Sequence, residues 1–519
     1  MRKEIFFIIV LLSITLQGVA AQARPKTWTE GLGESFSSVF DNFNYEYFIN
    51  KRNLTSDNYD EKRAALIKEA NEDYFTFDVP ELTEKEQRAN DIIQDLREQV
   101  VQGDHSPLLL PYYEGKKQIS GSNLHQAIRK MPKGAHLHLH PSAAYPLDLM
   151  IQLTYKDDAY YNIKENRLST FPNKAAVEPG FHKCNFLRKN WKFGGTFDSF
   201  LRNKILLTED EMKSQESSEV WKGFQAKFGV IGDLFQTPEN IRAGLMEICK
   251  RALNDGVYIV EFRKSLSGNF TKKLENYQYV QREMKKIDPA FEIALIVAVG
   301  KNKEAKIKSQ LAVYNHVRKT YPFVTGFDLV GEEDALPSIY SFKDLILDAM
   351  NQDDDEDEPT ENDFNLFFHA GETTDRYNEN LYDAILLGTK RIGHGFGILL
   401  HPGLIDKVIE EDIGIEICPI SNLVLAYTLD MRWHPIRTLM NRGVSVAISS
   451  DDPTFFDYDN LSLDFTYGII AWQLDLKDLK QLALNSIKES SIHEDLKTKV
   501  YAKFYKEWEN FIDTINVSA

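Results

Sequence analysis

The chain has 519 residues, of which 43% are hydrophobic and 27% charged, and a formal net charge of −17. That balance fits a globular protein and argues against nucleic-acid backbones and anionic membrane surfaces as partners; an uncharged small molecule stays open. The length allows one large barrel with additions, or two to three domains.

In chain order, Arg2 and Lys3 precede the apolar run Ile5 to Leu16, and Val19, Ala20 and Ala21 are small. About 20 residues are needed to cross a bilayer, so this run is too short to span one. It reads as a secretory signal, residues 1–21, cut after Ala21; a short membrane anchor is the alternative. Residues 22–105 are polar, and the runs EKRAALIKEANEDYF and TEKEQRANDIIQDLREQVV have helical spacing. They predict an N-terminal helical module, for assembly or plain packing.

Residues 106–519 predict an α/β barrel. Eight short apolar runs recur: 135–140, 258–263, 292–300, 324–331, 364–372, 391–395, 414–421 and 445–452. Most intervals are long enough for a helix, such as the one ending at Gly256, a C-terminal cap. Eight β-α repeats point to a closed parallel (β/α)8 (TIM) barrel, and an open doubly wound sheet lacks its glycine-rich turn here. The first interval is over 100 residues, so about 145–235 are expected to form an inserted subdomain at the catalytic face. The acidic run 353–358 reads as a solvated loop.

Only three cysteines are present, Cys184, Cys249 and Cys418, with no CxxC or Cys-His spacing, so a thiolate metal site is not expected. Sequons at Asn53, Asn269, Asn460 and Asn516 would accept glycans in a secreted chain.

The chemistry-bearing residues cluster at strand ends. His136, His138 and His140 alternate in one strand and share a face, an arrangement that favours a metal over three structural histidines. His369 ends the fifth strand, with Glu372 just beyond it. His394 stands between Gly393 and Gly395, and Asp451-Asp452 follows a buried-looking strand. Adjacent carboxylates repel unless a cation or proton compensates, whereas an Asp-Asp pair on a surface usually means nothing. Three histidines and one aspartate suit Zn2+, which brings the pKa of bound water near 7. His394, Glu372 and Asp452 remain as proton handlers, the inventory of a hydrolase.

MPKGAHLHLH, FDLVGEED, FFHAGET, RIGHGFG, IEICPISNLVL and AISSDDP together resemble the adenosine deaminase family, in order and over nearly the whole chain after the signal. The MPKG start, the long insertion and the signal resemble its extracellular branch, the adenosine deaminase-related growth factors. The resemblance implies His138, His140, His369 and Asp451 as zinc ligands. It implies that Glu372 protonates purine N1 and that His394 takes a proton from water and stabilises the attacking hydroxide. Asp452 would orient that water and bond N7, the Gly331 N–H would meet N3, and Trp221 would line the pocket. Glu372 then needs a raised pKa. His136 is expected deeper in the barrel, with a shifted register using His136 and His138 as the alternative.

The chain departs from the resemblance in two places. Pro141, followed by Ser142, stands where such relatives usually carry an aspartate that helps hold ribose, and Cys184 has no partner for the disulfide that often closes the insertion. The implied activity is hydrolysis of adenosine or 2′-deoxyadenosine to inosine and ammonia by a secreted homodimer, with a cell-surface receptor or glycan as a further partner. The competing readings are a growth-factor or binding protein with little catalysis and a deaminase of another purine nucleoside. The cytidine-deaminase signature is absent.

Overall fold

In the computed structural model the described residues are 58–72, 79–102, 106–351 and 364–518. The chain divides into two units after Asp73. The expected signal 1–21 and the acidic run 353–358 lie outside the described residues. Of the first unit, the helix Tyr59–Glu72 is described.

In the second unit, parallel strands form two sheets. One has the order β1 (Gly134–Leu139), β5 (Val257–Lys264), β6 (Glu292–Gly300), β7 (Val324–Val330). The other has the order β11 (Val446–Ile448), β10 (Gly414–Ile417), β9 (Arg391–His394), β8 (His369–Ala370). Bridges Leu139↔Asp451 and Phe327↔Leu366 join the sheets at both edges, so the eight strands run as a ring. Burial on both faces explains their apolar texture.

Each expected run contains a strand, but three of the strands cover half of the run or less. The fifth pairs only at His369–Ala370, with Leu366 bridging from outside. The seventh stops at Ile417, because Pro419 starts the helix Pro419–Val424. The eighth stops at Ile448, leaving Asp451 and Asp452 in the loop.

Helices between strands carry local signals. The helix Pro238–Asn254 is capped by Thr237, whose side chain accepts from the Asn240 N–H, with proline in its first turn. Gly256 follows at φ 78°, where a Cβ would stand 2.5 Å from the Met131 carbonyl oxygen, so only glycine fits.

The interval between β1 and β5 holds a small antiparallel sheet of β2 (Ala159–Asn162), β3 (Arg167–Thr170) and β4 (Phe181–Lys183), in the order β3-β2-β4. It also holds the helix Ser217–Ile231. Phe224 and Phe228 of that helix pack on Phe455 and Phe456, beyond β11. The helix Glu84–Val101 begins with a capping box from Thr83 and Glu86. It lies against the C-terminal helices: Arg97 donates to the Ile469 carbonyl at 3.1 Å and Glu86 pairs with Lys480 at 2.8 Å.

Candidate metal centre and active site

The C-terminal ends of β1, β8 and β11 converge on four side chains. His138, His140, His369 and Asp451 each offer one donor atom, and these atoms lie within 4.8 Å of one another. Alternation along β1 turns His138 and His140 the same way. His136 is outside this group: its Nε2 accepts from the Ser450 N–H at 3.0 Å. The register therefore brings together His138 and His140, not His136 and His138.

Two features show that the cluster fits a cation. His138 Nδ1 meets Glu416 at 2.8 Å and His369 Nδ1 meets Asp328 at 2.7 Å. Each carboxylate fixes a proton on Nδ1 and leaves a lone pair at Nε2. Yet the two Nε2 atoms stand 2.9 Å apart. Two lone pairs that close repel, so a proton or a metal ion must sit between them. Asp451 Oδ1 is buried with no hydrogen-bond partner, 3.5 Å from His138 Nε2 and 3.3 Å from His140 Nε2. Three imidazole nitrogens and one carboxylate oxygen suit a divalent metal with an open position.

A second grouping, His138, His394, Cys418 and Asp451, also lies within that reach. Burial and the nearby Asp451 push the Cys418 thiol well above its ordinary value, so it stays protonated and is the poorer ligand.

Beneath the histidines runs a buried ionic network that sequence reasoning missed. Arg263 donates to Asp328 at 2.9 Å and to Glu416 at 2.5 Å, and also to the Leu137 carbonyl. Arg391 joins Glu416 to Glu261. Burial alone would raise the Glu416 carboxyl; Arg263, Arg391 and His138 outweigh it and hold it well below the usual range. One arginine thus braces both carboxylates that orient metal-facing histidines. The available signal was charge inside apolar strands: Glu261 and Arg263 in YIVEFR, Asp328 in GFDLV, Glu416 in GIEI.

Glu372 is buried, with Oε1 unpartnered. Its loop is held by Glu333, which accepts from the Gly371 N–H at 2.9 Å and the Glu372 N–H at 2.8 Å. Burial, then the charges of Asp451 and Glu333, raise the Glu372 carboxyl well above its ordinary value. Burial and Asp451 likewise raise Asp452, whereas the surrounding histidines outweigh burial and keep Asp451 ionised. Burial keeps His394 neutral.

A chain of hydrogen bonds orients His394. The Ile436 N–H donates to His434 Nδ1, so His434 Nε2 carries the proton and donates to Asn422 Oδ1 at 3.1 Å. Asn422 Nδ2 then donates to His394 Nδ1 at 3.3 Å. This leaves the His394 proton on Nε2, which is buried, unpartnered and 3.9 Å from Asp451. Both His394 and Asp451 have left-handed backbones, φ 66° and 63°, a strain of about 1 kcal/mol or more each that surrounding packing must hold.

A cavity of about 530 Å³ opens onto the cluster, lined by His140, His369, Glu372, His394, Asp451 and Asp452 on the metal side. Gly331 lines it at φ 113°, where a Cβ would stand 2.6 Å from Leu336. Trp221 of the insertion lines it too, donating from Nε1 to the Tyr427 hydroxyl at 2.8 Å. Every sequence-predicted site residue other than His138 therefore lines this cavity, and His138 stands behind it in the cluster. Cys184, Cys249 and Cys418 are free and buried.

A ring of parallel strands with a His/Asp cluster at its C-terminal rim defines a barrel protein with a candidate metal centre. The family described as Adenosine deaminase matches residues 203–507. Adenosine deaminase 2 of Dictyostelium discoideum is 32% identical, covering 99% of this chain and 98% of its own length. Adenosine deaminase 2 of Homo sapiens is also 32% identical, covering 83% and 89%. The chain belongs to the adenosine deaminase family and is a hydrolase of that family. Among solved structures, a cog1816 amidohydrolase with bound Zn from Burkholderia ambifaria shares the fold at TM-score 0.54 and 18% identity, covering 76% of this chain and 95% of its own. Arabidopsis ADAL complexed with IMP does so at 0.53 and 15%, covering 74% and 99%.

Proposed function

We propose that this protein is a secreted, zinc-dependent adenosine deaminase that hydrolyses adenosine or 2′-deoxyadenosine to inosine and ammonia. The observation that carries this reading is the cluster of His138, His140, His369 and Asp451 with the buried Glu372, its Oε1 without a hydrogen-bond partner, lining the same cavity. The names of the relatives support the substrate, and the zinc of a structural neighbour supports the metal.

In this reading His138, His140, His369 and Asp451 hold one zinc ion per chain, which when bound supplies a Lewis acid that brings the pKa of water near 7. Glu372 carries a proton at neutral pH and gives it to purine N1, which makes C6 electrophilic. Asp452, also protonated in its buried setting, donates to N7. The Gly331 N–H donates to N3. Of the two tasks implied for His394, the resting hydrogen bonds favour the second: Nε2–H stabilises the charge on the attacking oxygen. Trp221 and its helix screen the cavity from water.

The expected division is a signal over 1–21, a helical module over 22–105 supporting a homodimer, and a barrel over 106–519 with a subdomain at about 145–235. No helix among the described residues is long and apolar enough to cross a membrane. Export would make glycans at the sequons and growth-factor activity through a receptor or glycan consistent with the same chain.

Conversion of adenosine to inosine, followed by ultraviolet absorbance, tests this. Because Glu372 must be protonated, kcat/KM should fall as pH rises through its raised pKa. Glu372→Gln should lower kcat/KM about 10²- to 10⁴-fold and abolish that limb. Unchanged turnover in the variant would overturn the role.

A further inference from the structure

The substrate cavity carries a cation that the reaction above does not use. Lys264, the last residue of β5, lines the same cavity as His369, Asp451 and Glu372. It is half-buried, and among the described residues nothing accepts a hydrogen bond or pairs as an ion with its ammonium. Burial and the nearby Lys273 pull it down to about 8. An ammonium withdrawn from water without a counter-charge is costly, and an anionic ligand would remove that cost.

The register explains why the ammonium is alone. Leu139 of β1 pairs with Phe262 of β5, so Lys264, two residues on, stands at the level of residue 141. The chain there is Pro141, opening the turn Pro141–Ala143, which lies against β5. Proline offers neither a carboxylate nor an N–H. The neighbouring wall adds hydrogen-bonding groups without negative charge. Ser142 and Asn302 both line the cavity, and the Asn302 amide has no hydrogen-bond partner among the described residues. Ser142 adds a hydroxyl, whereas the Ser265 hydroxyl donates to Gln310 at 3.2 Å; Lys273 is a second cation behind, donating to the Ser265 and Ser267 carbonyls. Glu332 is the acidic wall residue away from the metal cluster, and burial and Asp334 raise its carboxyl, which weakens its opposition to an anion.

Resting on the deaminase reading, we infer that the site accepts purine nucleoside 5′-monophosphates, with Lys264 binding the phosphate beside Asn302 and Ser142. The reacting C6 must face the metal cluster, which turns the sugar and its 5′ substituent toward the remaining wall. A cavity of about 530 Å³ is large enough for a nucleotide. Phosphate oxygens accept from an ammonium, an amide and a hydroxyl together. The reaction is unchanged: water adds at C6, ammonia leaves, and the phosphate ester stays intact.

The test compares adenosine with adenosine 5′-monophosphate, by steady-state kinetics and equilibrium binding, on zinc-loaded full-length wild type, Lys264→Met and Lys264→Arg. The wild type should bind the nucleotide more tightly than the nucleoside. The nucleotide-to-nucleoside ratio of kcat/KM should fall about tenfold or more in Lys264→Met, and stay within about threefold in Lys264→Arg. Deamination of adenosine with no gain for the nucleotide overturns the inference and leaves the deaminase reading standing. A ratio equal in all three proteins also overturns it. Should neither compound be deaminated, the deaminase reading fails, and binding decides the rest: tighter nucleotide binding that depends on Lys264 sustains the phosphate site, and equal binding removes it. Inorganic phosphate is the control. Lys264-dependent binding of phosphate alone, with no advantage for the nucleotide, assigns Lys264 to a free anion and overturns the inference.

Discussion

The floor of the cavity and its outer wall are built on opposite terms. On the floor, two metal-facing histidines are held by carboxylates, those carboxylates by Arg263, and Glu416 again by Arg391. On the wall, Lys264 and Asn302 have no hydrogen-bond or ion-pair partner among the described residues, and Trp221 is tied by a hydrogen bond to Tyr427. The difference teaches where each kind of work is done. Metal ligation and proton transfer need side chains fixed to within about half an ångström, so the candidate groups sit at strand ends or in the loops just beyond them. Recognition of the rest of the ligand is done by groups left free to meet it.

Substitutions should separate these regions. The largest effect is expected at Arg263. Arg263→Met would leave Asp328 and Glu416 buried without their shared counter-charge, costing about 3–5 kcal/mol in chemical denaturation. Asn302→Ala on the wall should stay within about 0.5 kcal/mol of wild type in the same experiment. Equal losses would erase the contrast. Next, Asp328→Asn should weaken metal binding about 10- to 100-fold by competition with a chromogenic chelator, because His369 loses the carboxylate that orients it. Unaltered affinity would mean that Asp328 serves only packing. A smaller effect is expected at Trp221. Trp221→Phe keeps an aromatic wall and loses the bond to Tyr427, about 1 kcal/mol, so KM should rise about fivefold with metal content unchanged. A loss of metal in that variant would show that the insertion supports the floor as well.

Much of the floor was legible in the sequence, because period-two spacing places His138 and His140 on one face and strand ends mark His369, His394 and Asp451. The eight strand positions were legible as short apolar runs, because both faces of the strands are buried. Their ends were not: Pro419 turns the seventh run into a helix, and the fifth keeps only a two-residue ladder. The bracing network was hidden because Glu261 and Arg263 come from β5, Asp328 from β7, Arg391 from β9 and Glu416 from β10, and only closure of the ring brings them together. The chain from Ile436 through His434 and Asn422 to His394 was hidden too, since it depends on how a loop folds back. Nothing in the sequence separates Lys264 from any other charge after an apolar run; its meaning comes from the register that sets it level with Pro141.

The measurement closest to the central claim is metal reconstitution. The purified protein would be stripped with a chelator, titrated with zinc, and assayed for conversion of adenosine to inosine at each point. Our account predicts no turnover in the stripped protein and a linear return that stops at one zinc per chain. Full turnover by the metal-free protein, or none at one zinc per chain, would contradict it.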